Sequence, residues 1–420
     1  MASSWATLNT ILERAKRFPP FRALYRIPWV PSAYHFVLAF VGALIYRFPS
    51  KKLVVIGVTG TKGKTTTLEF INAGLEAAGR KTALLSSIRI KIGGHSKPNL
   101  LGNTQPGRFY AQYFMREAIK NGCEFALLEV GSEGVVRHRH RFIDFDAAVF
   151  VNLHPEHIES HGGFENYRKA KLKFFRYVRL SSKGDRRFFI NQADKNADYF
   201  IKAAGQGKII MTTKTEIPLR MSGEFNRENA GIAEAVLRSF GVKDTTIRKA
   251  LGEFAGVPGR MEYVQRKPFA VVVDYAHTPD SLKAVYEDAK PRGGRLICVL
   301  GSAGGGRDKW KRPEMGKIAA QHCQKIILTD EDPFDESPGQ ILLEIKDGVL
   351  DAGFAPANVR EVLDRGEAIR RAISSAHPGD AVVITGKGSE SCVRVAGGRK
   401  IPWSDVAAVR RALGQAHPGA

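Results

Sequence analysis

The stretch "GVTGTKGKTTT", Gly57 to Thr67, decides how the whole chain is read. It stands between an apolar run, Leu53 to Val58, that reads as a buried strand, and a segment in which Leu68, Ile71 and Leu75 recur at helical spacing. A glycine-rich turn from strand to helix aims backbone N–H groups and the helix's positive end at one point, which suits a polyphosphate. Gly60, Thr61, Lys62, Gly63, Lys64, Thr65 and Thr66 are therefore read as nucleotide-binding, with Lys64 reaching the terminal phosphates and the Thr65 hydroxyl serving Mg²⁺. The strict phosphate-loop spacing is not met, because Val58 stands five positions before Gly63, where that pattern has glycine. The loop implies a nucleotide and leaves the reaction open.

At 420 residues the chain is long enough for two or three domains, each with its own core. Cys123, Cys298, Cys323 and Cys392 lie far apart with no CxxC pair. That argues against a zinc site or a disulfide framework and for a reducing compartment, with the cysteines as small buried hydrophobes. Basic residues outnumber acidic ones, 64 to 42, and the excess is uneven: residues 1–52 hold eight Lys/Arg against Glu13 alone. Residues 166–190 hold nine against Asp185. An anionic membrane surface or a phosphorylated substrate suits this balance. No RNA-binding signature or zinc finger accompanies it, so nucleic acid is not expected.

The first apolar run, "FVLAFVGALIY" (Phe36 to Tyr46), is about half the ~20 residues a bilayer span requires. It reads as a buried or an interfacial helix. Its flanks, "YRIPWVP" and "RFPSKK", place Trp29, Tyr46 and several cations where an interfacial helix wants them. The expectation is a cytoplasmic, monomeric protein with peripheral contact at the inner membrane face through residues 22–52.

From residue 51 strand and helix candidates alternate, as in a parallel sheet covered on both faces. "FALLEV" (125–130), "AAVFVNL" (147–153) and "RFFIN" (187–191) read as strands, and "GEFNRENAGIAEAVLRSFG" (223–241) as a helix bounded by glycines. Gly and Pro punctuate "GVPGRMEYV" (256–264), after which "FAVVVDYAHTPDSLKAV", "RLICVLG", "KIILTD" and "DAVVITG" restart the pattern. The fold class is α/β: a central P-loop-type parallel-sheet ATPase domain (51–260) followed by a smaller Rossmann-like α/β domain (261–420), with residues 1–50 as a short basic and apolar segment.

Polar residues cluster just past the strand ends, where open parallel sheets build their sites. Glu129 ends one strand, and "NLHPEHIESHGG" after another supplies His154, Glu156, His157, Glu159 and His161. Three histidines in eight residues suggest zinc, but hard oxygen ligands beside a phosphate loop favour Mg²⁺ held partly by the nucleotide.

With "TGTKGKTTT", "LEVGSEG", "NLHPEHIESHGGFENYRKAK", "GEFNRENA", "GRME", "DYAHTPDSL", "GSAGGGRDKWKRPEMG" and "GKGSE" in this order, residues 53–413 resemble the Mur ligases of cell-wall synthesis. The nearest type is MurE, which adds the third residue of the peptidoglycan stem peptide. The resemblance implies ATP and Mg²⁺ as cofactors and UDP-MurNAc-L-Ala-D-Glu and an amino acid as substrates. It also implies a reaction in which a carboxylate takes the γ-phosphate and an amine displaces it. By resemblance the catalytic residues are Lys64, Glu129, His157 and Lys171, with Thr65, Glu129, His157 and Lys171 at the metal. Lys171, fourteen residues after His157, falls where these ligases carry a carbamoylated lysine. Asn226, Asn229, Arg260, Asp274 and His277 match ATP-binding positions; Thr104, Gln105 and Arg139 match acyl-substrate positions; Arg307, Glu331, Asp332, Gly386 and Glu390 match amino-acid positions.

The departures from that pattern concern the substrates. Gln105, Gly131 and Glu133 replace a threonine, a serine and a histidine of the family. Only about fifty residues precede the central domain, where MurE-type ligases carry a UDP-binding domain of about a hundred. A MurT-like synthetase acting on lipid-linked muropeptide, or a nucleotide-binding regulatory relative, are the alternatives; scattered cysteines and the retained Lys64, Glu129, His157 and Lys171 count against them. Diaminopimelate-adding relatives carry Asp-Asn-Pro-Arg where this chain has "EDPF", so Phe334 stands in the arginine's place. A basic amino acid such as lysine or ornithine is the expected amine.

Overall fold

The computed structural model describes residues 27, 29–101, 106–107, 109–156 and 158–414. The chain divides into two compact units. The first comprises residues up to 153 with 165–217 and 228–251; the second comprises 154–164, 218–227 and 252 onward. A linear reading places one boundary near residue 260 and does not anticipate that two short upstream segments join the second unit.

The first unit is built on eight strands: β1 (Val54–Thr59), β2 (Thr82–Leu85), β3 (Arg89–Ile92), β4 (His95–Pro98), β5 (Phe125–Glu129), β6 (Ala147–Phe150), β7 (Arg187–Asn191) and β8 (Lys208–Thr212). They lie in the order β4-β3-β2-β5-β1-β6-β7-β8. All pairings are parallel except β2–β3 and β3–β4. Strand β1 is central and apolar along its length, as expected of a strand covered on both faces. Its register with β5 sets Val58 opposite Glu129, and its register with β6 sets Thr59 opposite Phe150. The loop after β1 thus opens between the ends of both neighbours.

Packing against β1 positions the helix Phe164–Arg179. A Cβ on Gly57 would lie 2.5 Å from the Phe174 ring and 2.8 Å from the Phe145 ring, so the missing side chain is what lets that helix close on the sheet. Phe174 and Phe145 are fully buried, each contributing about 1.5–3 kcal/mol of apolar burial. Lys171, one turn earlier on the same helix, is thereby carried under the loop.

The helix Val30–Ile45 opens the described chain and encloses the apolar run seen in the sequence. It starts six residues earlier than that run, with Pro31 in the first turn, where proline is tolerated. Ala39, Gly42 and Ala43 face inward, where a Cβ on Gly42 would meet the Phe109 ring at 2.5 Å. Ser32 meets His138 Nε2 at 2.8 Å, and Phe36 and Phe40 both lie edge-on to Phe142 at 5.2 Å.

The second unit holds β9 (Glu262–Gln265), β10 (Ala270–Val273), β11 (Leu296–Leu300), β12 (Lys325–Leu328), β13 (Val359–Glu361) and β14 (Ala381–Ile384) in the order β13-β12-β11-β14-β10-β9, with a separate hairpin of β15 (Cys392–Val395) and β16 (Arg399–Pro402). Only β9 runs antiparallel within the six-stranded sheet. Alternate residues face opposite ways. Val272, Cys298, Leu300 and Val383 pack on one side with Leu282, Met315 and Ile345, while Val271, Val273, Ile297 and Val299 pack on the other with Ile369, Ala372 and Val409.

The cysteines require a correction. Cys298 and Cys323 are buried as expected, but they form a disulfide with Cα atoms 6.1 Å apart. Cys298 points from β11 toward the layer that holds the helix Lys311–His322, and Cys323 caps that helix, so the fold joins two residues 25 apart in sequence. Cys123 and Cys392 are free thiols.

His140 is fully buried against Tyr177 and Phe174, and neither ring nitrogen has a hydrogen-bond partner. Burial, then the nearby Arg141, His138 and Lys173, hold its pKa well below the usual histidine value. The unfolded chain therefore binds this proton first, and stability falls as pH drops below about 6.5. Between pH 7.5 and 5.5 this one group should cost about 1.4 kcal/mol. Urea unfolding should show that loss in the wild type and a smaller one in His140→Leu; equal losses would assign the pH dependence elsewhere.

Candidate active site

The loop Gly60–Gly63 is fixed through its backbone. Thr61 N–H donates to the Asn152 carbonyl at 2.9 Å, and Lys62 N–H donates to Asn152 Oδ1 at 2.9 Å. The Thr61 hydroxyl meets the Tyr167 hydroxyl at 2.9 Å. Gly63, with φ +77°, starts the helix Lys64–Ala77, and a Cβ there would lie 2.2 Å from Asn229 Oδ1. Glycine is needed both for the left-handed backbone and for the approach of that asparagine. Asn229 is itself held by the Thr67 hydroxyl at 3.3 Å.

Two lysines converge on the loop's carbonyls. Lys64 Nζ donates to Gly60 O at 3.0 Å and Thr61 O at 2.8 Å. Lys171 Nζ donates to Gly60 O at 2.6 Å and lies 4.8 Å from the Tyr167 ring centre, with the residue 1 % exposed. Glu129, 3 % exposed, accepts from the Thr65 hydroxyl at 2.9 Å and from Ser87 N–H at 2.8 Å through one oxygen. Ser87 Oγ lies 2.9 Å from Thr65 Oγ1. A carboxylate and two hydroxyls at the positive end of a helix are a hard oxygen set suited to Mg²⁺ that takes its remaining ligands from a nucleotide and water. No group of three or more His, Cys, Asp or Glu side chains converges among the described residues. His157, Thr104 and Gln105 lie outside the described residues. Arg139 stands beside Gly107, whose Cβ position is 3.4 Å from Arg139 Nε.

In the second unit Asp274 accepts from Met261 N–H at 2.7 Å and Ala276 N–H at 2.6 Å, fixing the turn after β10. Arg260 stacks 4.1 Å over Tyr275. His277 Nδ1 meets Tyr275 O at 2.7 Å and Nε2 meets Glu156 Oε1 at 2.9 Å. Asn226 Nδ2 donates to Ser222 O at 2.6 Å. Lys311 Nζ donates to His277 O at 2.9 Å, and burial pushes its pKa down.

A second polar cluster surrounds Lys387, which is fully buried. It reaches Asp332 at 2.8 Å and pairs closely with Glu390. Arg394 donates to Asp332 at 3.2 Å and lies 3.9 Å from Glu390. Burial would raise the Glu390 carboxyl, but Lys387, with Arg394 and His277, outweighs it and holds the pKa below the usual range. Glu331, 5 % exposed, is pushed up by burial, with Lys311, Lys387 and Arg365 opposing, and its Oε2 has no hydrogen-bond partner. Gly386 adopts φ +104° with its Cβ position 2.3 Å from that oxygen. Arg307 is exposed on the loop before the helix Lys311–His322.

The structure thus gathers Lys64, Thr65, Glu129, Lys171 and Asn229 in one place, and Glu331, Asp332, Gly386 and Glu390 in another. Sequence reasoning missed Asn152, Ser87, Tyr167 and Lys387. Asn152 had a usable signal in its place just past a buried strand, and Tyr167 in its i, i+4 spacing from Lys171.

Residues 58–216 match the Mur ligase middle domain, and residues 259–388 match the Mur ligase glutamate ligase domain. A UDP-N-acetylmuramoyl-L-alanyl-D-glutamate–2,6-diaminopimelate ligase of Synechocystis sp. is 36% identical over 90% of this chain and 79% of its own length. The chain belongs to the Mur ligase family. It is an ATP-dependent ligase. A UDP-N-acetylmuramyl-tripeptide synthetase of Roseiflexus sp. is 33% identical over 92% of this chain and 83% of its own. Among solved structures, a UDP-N-acetylmuramoyl-L-alanyl-D-glutamate–2,6-diaminopimelate ligase aligns with TM-score 0.58 and 29% identity over 90% of this chain and 82% of that one. A folylpolyglutamate synthase of Mycobacterium tuberculosis aligns with TM-score 0.69 at 16% identity, covering 91% of this chain and 96% of that one, a likeness of fold.

Gly386→Ala should lower stability by about 1–3 kcal/mol, through both its backbone conformation and the contact with Glu331. Adding Glu331→Ala should recover part of that loss. Purely additive denaturation midpoints would show that the two residues do not interact.

Proposed function

We propose that this ligase joins an amino acid to UDP-MurNAc-L-Ala-D-Glu through an acyl phosphate, with residues 51–260 as the ATP-binding domain and residues 261–420 as the domain for the incoming amine. The observation that carries this reading is the convergence of Lys64, Thr65, Glu129 and Lys171 on one glycine loop. The substrate carboxylate attacks the γ-phosphate, ADP leaves, the amine attacks the acyl carbon, and phosphate leaves as the amide forms. Lys64 is held by neutral carbonyls, so its charge is available to a terminal phosphate. Mg²⁺ would be held by Thr65 and Glu129, with His157 and Lys171 completing the set, and would supply charge neutralisation to the transferring phosphoryl group.

A cation as buried as Lys171 is costly in an apolar setting. Once it has lost a proton, the Lys171 amine adds to the carbon of CO₂ and releases a second proton, giving a carbamate anion suited to a metal site, and this is the state we assign to the working enzyme. Lys171→Ala should lower phosphate release about 100- to 1,000-fold, on the scale of losing one electrostatic group from a site of this kind. Added short carboxylic acids should restore part of it; full activity in the variant would remove Lys171 from the mechanism.

For the amine, the names of the relatives point to diaminopimelate, whereas Phe334 points to a side chain ending in a bare ammonium, such as lysine. Phe334 has φ +53° and donates its N–H to Arg394 O at 3.1 Å. Arg394 lies 6.0 Å from its ring, with its guanidinium already engaged by Asp332. Glu331, Asp332 and Glu390 add negative charge in the same unit, and a distal carboxylate without a free arginine would cost on the order of several kcal/mol. In a competition at equal concentration lysine should be incorporated over meso-diaminopimelate. A clear preference for diaminopimelate would show that Phe334 is not the specificity position.

No helix among the described residues is long and apolar enough to cross a membrane. Peripheral contact through residues 22–52, with the enzyme a cytoplasmic monomer, completes the reading.

A further inference from the structure

The helix Val30–Ile45 turns an unbroken apolar face outward. Trp29 is 67% exposed, Phe36 40%, Val37 54%, Phe40 44% and Leu44 57%. At 100° per residue these five fall within one third of the helix circumference, with Gly42 on the opposite side. The helix carries no charged residue.

Cations follow immediately. Arg47 and Phe48 adopt left-handed backbone, φ 58° and 48°, a strained turn that ends the helix and leads into the single turn Pro49–Lys52. Arg47, Lys51 and Lys52 are exposed. No Asp or Glu occurs between Arg14 and Leu68. Of the acids packed nearby, Glu117 is engaged by Lys120 at 2.7 Å.

An apolar face this large, bordered by cations on one side and free of acids, matches the boundary between acyl chains and anionic headgroups. A second copy of the chain is a poorer fit. At about 150–250 Å² per aromatic side chain, five half-exposed residues offer on the order of 500 Å², below the ~800 Å² per partner of a standard interface. We infer that this face docks on an anionic bilayer surface, with Trp29, Phe36, Val37, Phe40 and Leu44 entering the acyl boundary and Arg47, Lys51 and Lys52 meeting lipid phosphates. The inference deepens the peripheral contact proposed above by naming its partner and the residues that make it.

The test is sedimentation of the full chain with vesicles of neutral phosphatidylcholine and with vesicles containing 30 mol% (about one lipid in three) phosphatidylglycerol. Binding should be at least about tenfold stronger to the anionic vesicles and should weaken with salt. Lys51→Glu/Lys52→Glu should lower it about 25-fold or more, at roughly fivefold per cation lost. Phe40→Glu/Leu44→Glu should reduce it to the neutral-vesicle background. Brominated lipid should quench wild-type tryptophan fluorescence, and Trp29→Phe should remove the quenched component, a readout that does not depend on the charge variants folding.

Equal binding to both vesicles, or to neither, overturns the inference. So does quenching that survives Trp29→Phe, which would assign the contact to residues 1–26. A concentration-dependent dimer dissociated by Phe40→Glu/Leu44→Glu also overturns it, because a second copy would then cover the face. The assay contains no ATP or muropeptide, so its failure leaves the ligase reading standing.

Discussion

A glycine loop that turns its carbonyls and N–H groups away from any strand must find partners for them, and the first unit is arranged around that requirement. Asn152 takes two of the N–H groups, and Lys64 and Lys171 take the carbonyl side. Each partner comes from a different element: the end of β6, the helix that the loop starts, and the helix that Gly57 admits against the sheet. Satisfying the loop therefore assembles the site. Lys64, which pins two of the loop's carbonyls, is also the group whose charge the proposed mechanism directs at a terminal phosphate.

Charge is distributed differently in the second unit. Lys387, Arg394, Asp332, Glu390 and Glu331 form a compact network in which each carboxylate but one has a cation within hydrogen-bonding or near-contact range. Glu331 is the exception, buried with an unpartnered oxygen and a raised pKa. A group left in that state is expensive in a finished fold. Phe334, in left-handed backbone beside Arg394, shapes the same neighbourhood.

The sheet around β1 was legible because its strands are apolar runs bounded by glycine, and "RFFIN" is a strand over its whole length. The strands Arg89–Ile92 and His95–Pro98 were not, because each is only four residues long, the first too short for its alternation to stand out and the second exposed and polar apart from its proline. The hairpin Cys392–Pro402 escaped because its two strands are also only four residues each, and neither is buried. The loop residues and Glu129 could be read from sequence because glycine spacing and a strand-end carboxylate are local signals. Asn152, Ser87 and Lys387 act through contacts made by parallel crossover connections, and nothing in a linear reading ranks one strand-end polar residue above another. The Cys298–Cys323 bond was missed on similar grounds: it joins a strand to the cap of a helix packed on it, a proximity that spacing does not reveal.

The central claim is chemical: the site transfers the γ-phosphate to a carboxylate before the amide forms. It is tested most directly by supplying UDP-MurNAc-L-Ala-D-Glu with ¹⁸O in its reacting carboxylate, together with ATP, Mg²⁺ and the amino acid, and analysing the released phosphate by mass spectrometry. The account predicts one ¹⁸O atom in each phosphate released, carried over when the acyl phosphate is displaced by the amine. Unlabelled phosphate, formed while amide product accumulates, would contradict it.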